Sequence, residues 1–284
     1  MSATDDPMPT LSLVEVAAAL ELHYMTVYRY VRTGRLPATL VGHEWRVRRE
    51  DLDALRTPSR PPARPRADAA ARRLEERLVA GDESGAWRIV DDALAAGHSP
   101  TDVHLDILVP ALRHIGEGWR EGRVSIADEH RASATARRVI ARLGPRFARP
   151  GRRRGTVVIG AVSGEWHDIP AALVADQLRG AGYAVVELGS NTPAESFLEA
   201  VGHGGIVAVV VSVTTPGLEA VVRETTARVR AAGVPVVVGG SAVPSPEVAL
   251  SLGSDEWSGR DARDVVALVD QIRERRVADR RRRR

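Results

Sequence analysis

A carboxylate and an imidazole two residues apart, Glu165 and His167, stand in the stretch Gly164-Glu165-Trp166-His167-Asp168-Ile169-Pro170. A neutral imidazole ligates a metal through one ring nitrogen when a carboxylate holds the other. Glu165 is spaced to be that holder, and Asp168 is a further candidate to contact the bound group. Taken alone, the heptapeptide reads most simply as a loop with an idle histidine; its setting argues otherwise. The run Thr156 to Val162 is β-branched and apolar, as a strand buried on both faces is. After the histidine, Ala171 to Leu178 is apolar at helical spacing, with Gly180 and Gly182 as stops. His167 therefore belongs to a strand-to-helix loop of an α/β unit, where open sheets bind ligands. The chain has no cysteine, which excludes thiolate metal sites and disulfides.

A second chemistry lies near the N-terminus. Thr26, Tyr28, Arg29 and Arg32 read as exposed on one helical stretch, and His43 and Arg46 as exposed on a following hairpin. From residue 28 to 49 there are six arginines and one acidic residue, Glu44. A solvated charged face accounts for any single arginine. The group beside a helix–turn–helix fits contact with nucleic-acid phosphate better.

The elements that must hold these residues fall into separate blocks. After a polar leader over residues 1–9, the pattern is helical from Thr10, with Leu13, Val16, Ala17 and Leu20 on one face. Met25–Arg32 makes a second helix, stopped at Gly34. Leu36–Val41 and Trp45–Val47 flank a turn at Gly42-His43-Glu44, and Arg49–Leu55 closes the block, giving a winged helix-turn-helix over residues 1–57. Residues 58–66 form a Pro/Arg linker. Residues 67–148 read as four helices with short connections, a bundle. Residues 155–273 alternate strand and helix, with strands near 156–162, 184–188, 206–211, 234–238 and 254–257, which predicts a doubly wound parallel sheet. Asn191-Thr192-Pro193 marks a second loop at the ligand-bearing end of that sheet. Residues 274–284 read as a disordered arginine-rich tail. The fold class is thus multidomain, α and α/β.

The stretch Glu165-x-His167-x-x-Pro170 resembles the cobalamin-binding motif Asp-x-His-x-x-Gly. Glutamate keeps the carboxylate on a longer arm. Pro170 replaces the glycine beside which that family admits the nucleotide tail of the cofactor, and it suits a first helical turn. The resemblance extends to Ser212-Val213-Thr214, where the family sets a hydroxyl against the buried base, and to Gly239-Gly240, where it lets the backbone approach that base. It implies His167 as the lower cobalt ligand.

Upstream, Trp119, Ile126, Glu129 and His130 have the spacing of the helical cap in B12-dependent light-responsive repressors. There the tryptophan and the aliphatic residue pack around the 5′-deoxyadenosyl group and the glutamate reaches its polar atoms. The histidine becomes a cobalt ligand once the group is lost. If these residues have no cofactor role, Trp119 is bundle core and Glu129-His130 an exposed pair. Similar bundles cap methylcobalamin in methyl-transfer proteins. Residues 10–56 resemble the excisionase-type heads related to mercury-resistance regulators, through Val27-Tyr28-Arg29, Gly34, Leu36-Pro37, Val41-Gly42, Trp45-Arg46-Val47 and Arg49-Glu50-Asp51-Leu52.

Together the resemblances imply a non-enzymatic, cobalamin-dependent transcriptional regulator. Adenosylcobalamin, or else methylcobalamin, would be its cofactor and a double-stranded DNA operator its partner. It would be a homo-oligomer, a tetramer in the family, that changes assembly and releases DNA in light. A corrinoid carrier for methyl transfer, or a light-independent cobalamin sensor, remains open. The 284 residues carry a net charge of +3, with 44% hydrophobic residues, as for a water-soluble globular chain. No apolar run reaches membrane-spanning length and no signal pattern opens the chain, so a cytoplasmic protein without membrane contact is expected.

Overall fold

The computed structural model describes residues 10–20, 22, 24–32, 36–42, 44–56, 67–259 and 264–282, except the side chains at 29, 32, 54–56 and 279–281. The chain divides into a unit ending at Arg64 and a second from Pro65 onward.

In the first unit, strand β1 (Thr10–Ser12) leads into helix α1 (Leu13–Ala19). Ser12 caps that helix, with the Ser12 hydroxyl accepting from the Glu15 amide and the Glu15 carboxylate accepting from the Ser12 amide. Helix α2 (Tyr24–Arg32) follows, then an antiparallel hairpin of β2 (Thr39–Val41) and β3 (Glu44–Arg48), and α3 (Arg49–Arg56). Gly42 turns the hairpin at φ 64°, a left-handed conformation that suits glycine. β1 pairs on the other side of β3, giving the order β1-β3-β2. Leu13, Val16, Val27, Leu36, Val47 and Leu52 are the core. The opening turn of this unit was read as helix throughout from Thr10; its first three residues are the extra strand.

The second unit begins with the bundle: α4 (Ala67–Ala80), α5 (Glu83–Ala95), a long third helix and α8 (Ile126–Leu143). The third helix is composite. A capped turn, α6 (Pro100–Asp102), runs into a π-helical stretch at Val103–Leu108 and then α7 (Val109–Arg120). Leu74, Leu78, Val90, Leu108, Ile115, Val139 and Leu143 pack inside.

The rest is a parallel five-stranded sheet: β4 (Thr156–Ala161), β5 (Ala184–Glu187), β6 (Ile206–Ser212), β7 (Val236–Gly239) and β8 (Glu256–Trp257), in the order β5-β4-β6-β7-β8. Helices α9 (Ile169–Gly180), α10 (Ala194–Gly202), α11 (Glu219–Ala231), α12 (Pro246–Ser251) and α13 (Val265–Arg282) cover it. Both faces are buried, so the strands are apolar without alternation. Val158, Val209, Val211, Val236 and Val238 face one side; Val157, Ile159, Val210 and Val237 face the other. In this order the chain reverses direction across the sheet between β4 and β6, so the loops after those two strands diverge to opposite faces and leave a crevice.

Bundle and sheet are joined through α9. Leu173 of α9 is buried in the bundle core, and Ile169 packs against it. The far end of the chain differs from its sequence reading: α13 continues through Arg282, so residues 274–282 are helix rather than a disordered tail. Val265, Val269 and Ile272 anchor it, and Arg273 and Arg276 donate to the carbonyls of Arg154 and Val207. The linker at 58–66, the leader and Gly34 lie outside the described residues. Among the described residues no helix is long and apolar enough to cross a membrane.

Candidate functional site

The crevice between β4 and β6 holds Glu165 and His167. Glu165 is fully buried, at 0% exposure. Its Oε1 accepts from the His167 amide (3.0 Å), from His167 Nδ1 (2.6 Å) and from the Thr215 hydroxyl (3.1 Å). Its Oε2 accepts from the Thr214 amide (2.6 Å), the Thr214 hydroxyl (2.9 Å) and the Thr215 amide (2.7 Å). A glutamate is long enough to cross from the β4 loop to the β6 loop and bind both. Burial pushes its carboxyl up, but the hydrogen bonds from His167, Thr214 and Thr215 outweigh that and hold it well below the usual carboxylate range.

The same bond fixes the histidine. With Nδ1 bonded to Glu165, Nε2 is the nitrogen left for a ligand. The His167 side chain is 64% exposed. The bond to Glu165 raises the imidazole pKa; burial opposes this, and the charges of Glu165, Glu129 and Asp168 add to it. A third loop braces the pair. Asn191, at φ 50°, donates its amide to the Glu165 carbonyl (2.7 Å), and its Oδ1 accepts from the Gly164 amide (2.9 Å). Asparagine tolerates that left-handed conformation better than most side chains.

On the bundle, Trp119 stands at the end of α7 and Ile126 at the start of α8. Trp119 is 49% exposed and Ile126 63%, so neither is bundle core. Trp166, next to His167, is 68% exposed. Glu129 accepts from the Ser133 hydroxyl (2.7 Å) and pairs with His130 Nδ1 (2.7 Å). Burial raises its pKa, but those bonds and the charges of His130 and His167 leave it lowered, so the Glu129 carboxylate lies within electrostatic reach of His167. His130 is exposed and has Nε2 free of that pair.

Other expected contacts resolve differently. Thr214, expected against a buried base, spends its hydroxyl on Glu165. Asp168, expected beside the cofactor, is bound by Arg137 of α8. Ser212 is buried at the end of β6, beside Ala161 and Gly239. A side chain at Gly239 would meet the Ser258 hydroxyl, and one at Gly240 the Val213 backbone, so protein atoms favour glycine at the first and require it at the second. In the N-terminal unit, Tyr28, read as exposed, is half-buried against the core, and Thr26 is half-buried. Arg46 pairs with Glu44 (2.7 Å). His43 and the side chains of Arg29 and Arg32 lie outside the described residues.

Three residues that matter here carried weak sequence signals. Thr215 could have been found from the paired threonines after β6. Arg137 and its partner are far apart in sequence, and nothing local announces them. Asn191 was legible only as part of a loop at the correct end of the sheet.

The donor set can be tested against cobalamin. Among the described residues no three His, Asp or Glu side chains gather to hold a free metal ion. A single imidazole held by a buried carboxylate instead suits a metal that brings its other ligands in a macrocycle. Exposed indole and aliphatic side chains, Trp166 next to that histidine and Trp119 and Ile126 on the bundle, suit a large, partly apolar ring. The residues fit the group.

Comparison with known proteins agrees. Residues 70–143 and residues 155–272 each match a model described as a B12 binding domain, and residues 10–57 match one described as a helix-turn-helix domain. A corrinoid protein of Desulfitobacterium hafniense is 28% identical over 211 residues, 70% of this chain and 95% of the relative. Trimethylamine corrinoid protein 1 of Methanosarcina acetivorans is 28% identical over 209 residues, 70% of this chain and 95% of the relative. The structure of the Methanosarcina barkeri monomethylamine corrinoid protein superposes with TM-score 0.63 at 19% identity, covering 72% of this chain and 99% of that one, a likeness of fold. The chain thus carries a two-part B12-binding module, bundle then sheet, behind a segment of helix-turn-helix type.

Proposed function

We propose that this protein is a corrinoid-responsive DNA-binding regulator in which His167 is the lower cobalt ligand. The observation that carries the cofactor half is the buried Glu165, whose six hydrogen bonds fix His167 with Nε2 free. The DNA half rests on residues 10–57, which match a helix-turn-helix domain and carry the arginine-rich helix and hairpin. When bound, an alkylcorrinoid supplies a photolabile cobalt–carbon bond. The chain's part is to exclude water and hold position. Trp119 and Ile126 offer apolar surface to whatever stands above the ring, with Glu129 as an acceptor and His130 as a spare nitrogen donor. Loss of an upper group would remove packing worth about 25 cal/mol per Å² of apolar area, enough to bias a two-state assembly of DNA-binding heads. Adenosylcobalamin and light are the cofactor form and cue that this arrangement suits, and a homo-oligomer, a tetramer by resemblance, is the assembly.

A second reading has its own support. The relatives are named as corrinoid proteins, two of them for methylamines, and they favour a carrier that presents a methyl-bearing corrinoid to methyltransferases. That reading leaves residues 10–57 without a task. The test is retention of fragmented genomic DNA by the full chain, corrinoid-free, loaded with adenosylcobalamin in darkness, and loaded then illuminated. A specific fragment held in one state and released in another supports regulation. Retention of no fragment in any state, with methyl transfer from bound methylcobalamin to an added methyltransferase, would establish the carrier instead.

A further inference from the structure

Asp168 occupies the residue before the first turn of α9, the position where an aspartate ordinarily accepts a hydrogen bond from its own helix. Here it makes no such bond. Its carboxylate reaches instead across to α8. Arg137 Nε donates to Asp168 Oδ1 (3.0 Å) and Oδ2 (2.8 Å), and Arg137 Nη2 donates to Oδ1 (2.8 Å). This is the planar two-pronged pairing that arginine makes and lysine does not. It ties residue 168 to a helix of the bundle directly after the imidazole.

Arg137 also lies within electrostatic reach of Glu129, which in turn reaches His167. The rest of α9 is docked on the bundle by other means. Leu173 enters the bundle core, and Thr101 of α6 donates to the Gln177 side chain (2.9 Å). The helix that follows His167 is therefore held at its start by a polar clamp and along its length by packing.

Resting on the reading of His167 as the cobalt ligand, we propose that Arg137 is a positioning residue for the cobalt-binding loop: its hold on Asp168 makes docking of the bundle on α9 and placement of His167 one event. The pair stabilises the loop only while the bundle is closed. Opening of the bundle frees Asp168 to cap its own helix, and the loop shifts with it.

The test uses the full chain with Arg137→Gln, Asp168→Asn, both together, and the exchanged pair Arg137→Asp with Asp168→Arg. Two readouts are taken: hydrogen exchange at the amides of residues 165–169 without corrinoid, and release of bound hydroxocobalamin followed by its histidine-ligated absorbance. Each single variant is expected to speed loop exchange and corrinoid release by about threefold to tenfold, and the double no more than either single. The exchanged pair is expected to recover part of both. Additive effects in the double overturn the proposal. So does unchanged loop exchange beside a lowered melting temperature, which is the outcome for a merely structural ion pair. If the exchanged pair does not fold, the cycle of neutral variants decides by itself. If the unaltered chain takes up no hydroxocobalamin, the reading of His167 falls, while loop exchange in the variants still tests the clamp.

Discussion

Replacing Glu165 tests whether one buried carboxylate organises the site. In Glu165→Ala, three backbone amides (His167, Thr214 and Thr215), one imidazole nitrogen and two hydroxyls lose their acceptor. Hydroxyls rotate to new partners, but backbone amides cannot. Each buried amide left unpaired costs about 1–3 kcal/mol. Water entering beside the exposed imidazole returns part of that, leaving an expected local loss of about 3 kcal/mol, the low end of the sum over three amides. Glu165→Gln is nearly isosteric and separates charge from volume. It keeps one oxygen for His167 but turns an NH₂ toward amides that also donate, so the expected loss is about 2 kcal/mol. The assay is native-state hydrogen exchange at the amides of 167, 214 and 215. A loss of about 3 kcal/mol speeds exchange roughly 150-fold, since 1.36 kcal/mol is tenfold. Cobalamin affinity should fall about 10- to 100-fold as the imidazole loses its holder. Exchange within threefold of the parent in both variants would refute the idea that the carboxylate ties the β4 and β6 loops together.

Trp119→Ala should reduce affinity for adenosylcobalamin more than for hydroxocobalamin, measured by equilibrium dialysis in darkness, because in its proposed role the exposed indole packs only on a bulky upper group; equal losses would remove it from that role. His167 carries a raised pKa, and ligation needs the neutral imidazole, so cobalamin affinity should rise as pH climbs above about 6.5; titration at fixed ionic strength checks this, and a pH-independent affinity contradicts it. His104, fully buried, packs against the tilted ring of Phe147, and burial lowers its pKa to about 4. Its folded pKa lies below the unfolded value of about 6.5, so stability is whole above that value. It should fall by about 3 kcal/mol as pH drops from 6.5 to 4. Urea midpoints across that range should lose this slope in His104→Phe, and an unchanged slope would assign it elsewhere.

Much of the α/β half was legible because it obeys local rules. β-branched runs, helix stops and order along the chain give the parallel sheet, and Glu165-x-His167 follows its first strand. The partner of Glu165 was less so. Thr214 was legible as a residue after β6, but its commitment to Glu165 depends on the reversal between β4 and β6, which only the assembled sheet reveals. The Arg137–Asp168 clamp joins two domains and leaves no local pattern. The C-terminal segment misled through composition: an arginine run reads as a solvated tail, yet Val265, Val269 and Ile272 keep helical spacing. Arg273 and Arg276 find carbonyls instead of water. Tyr28 misled through its polar tip, which hid a ring packed against the head's core.

The central claim is that His167 Nε2 ligates cobalt in the bound state. The most direct test is electron paramagnetic resonance of the full chain loaded with cob(II)alamin, made with natural and with ¹⁵N-labelled histidine. The account predicts that the nitrogen splitting changes from triplets to doublets on labelling, and that His167→Ala loses this sensitivity. Triplets that persist in the labelled, unaltered chain would mean that cobalt keeps the cofactor's own base, and would contradict the account.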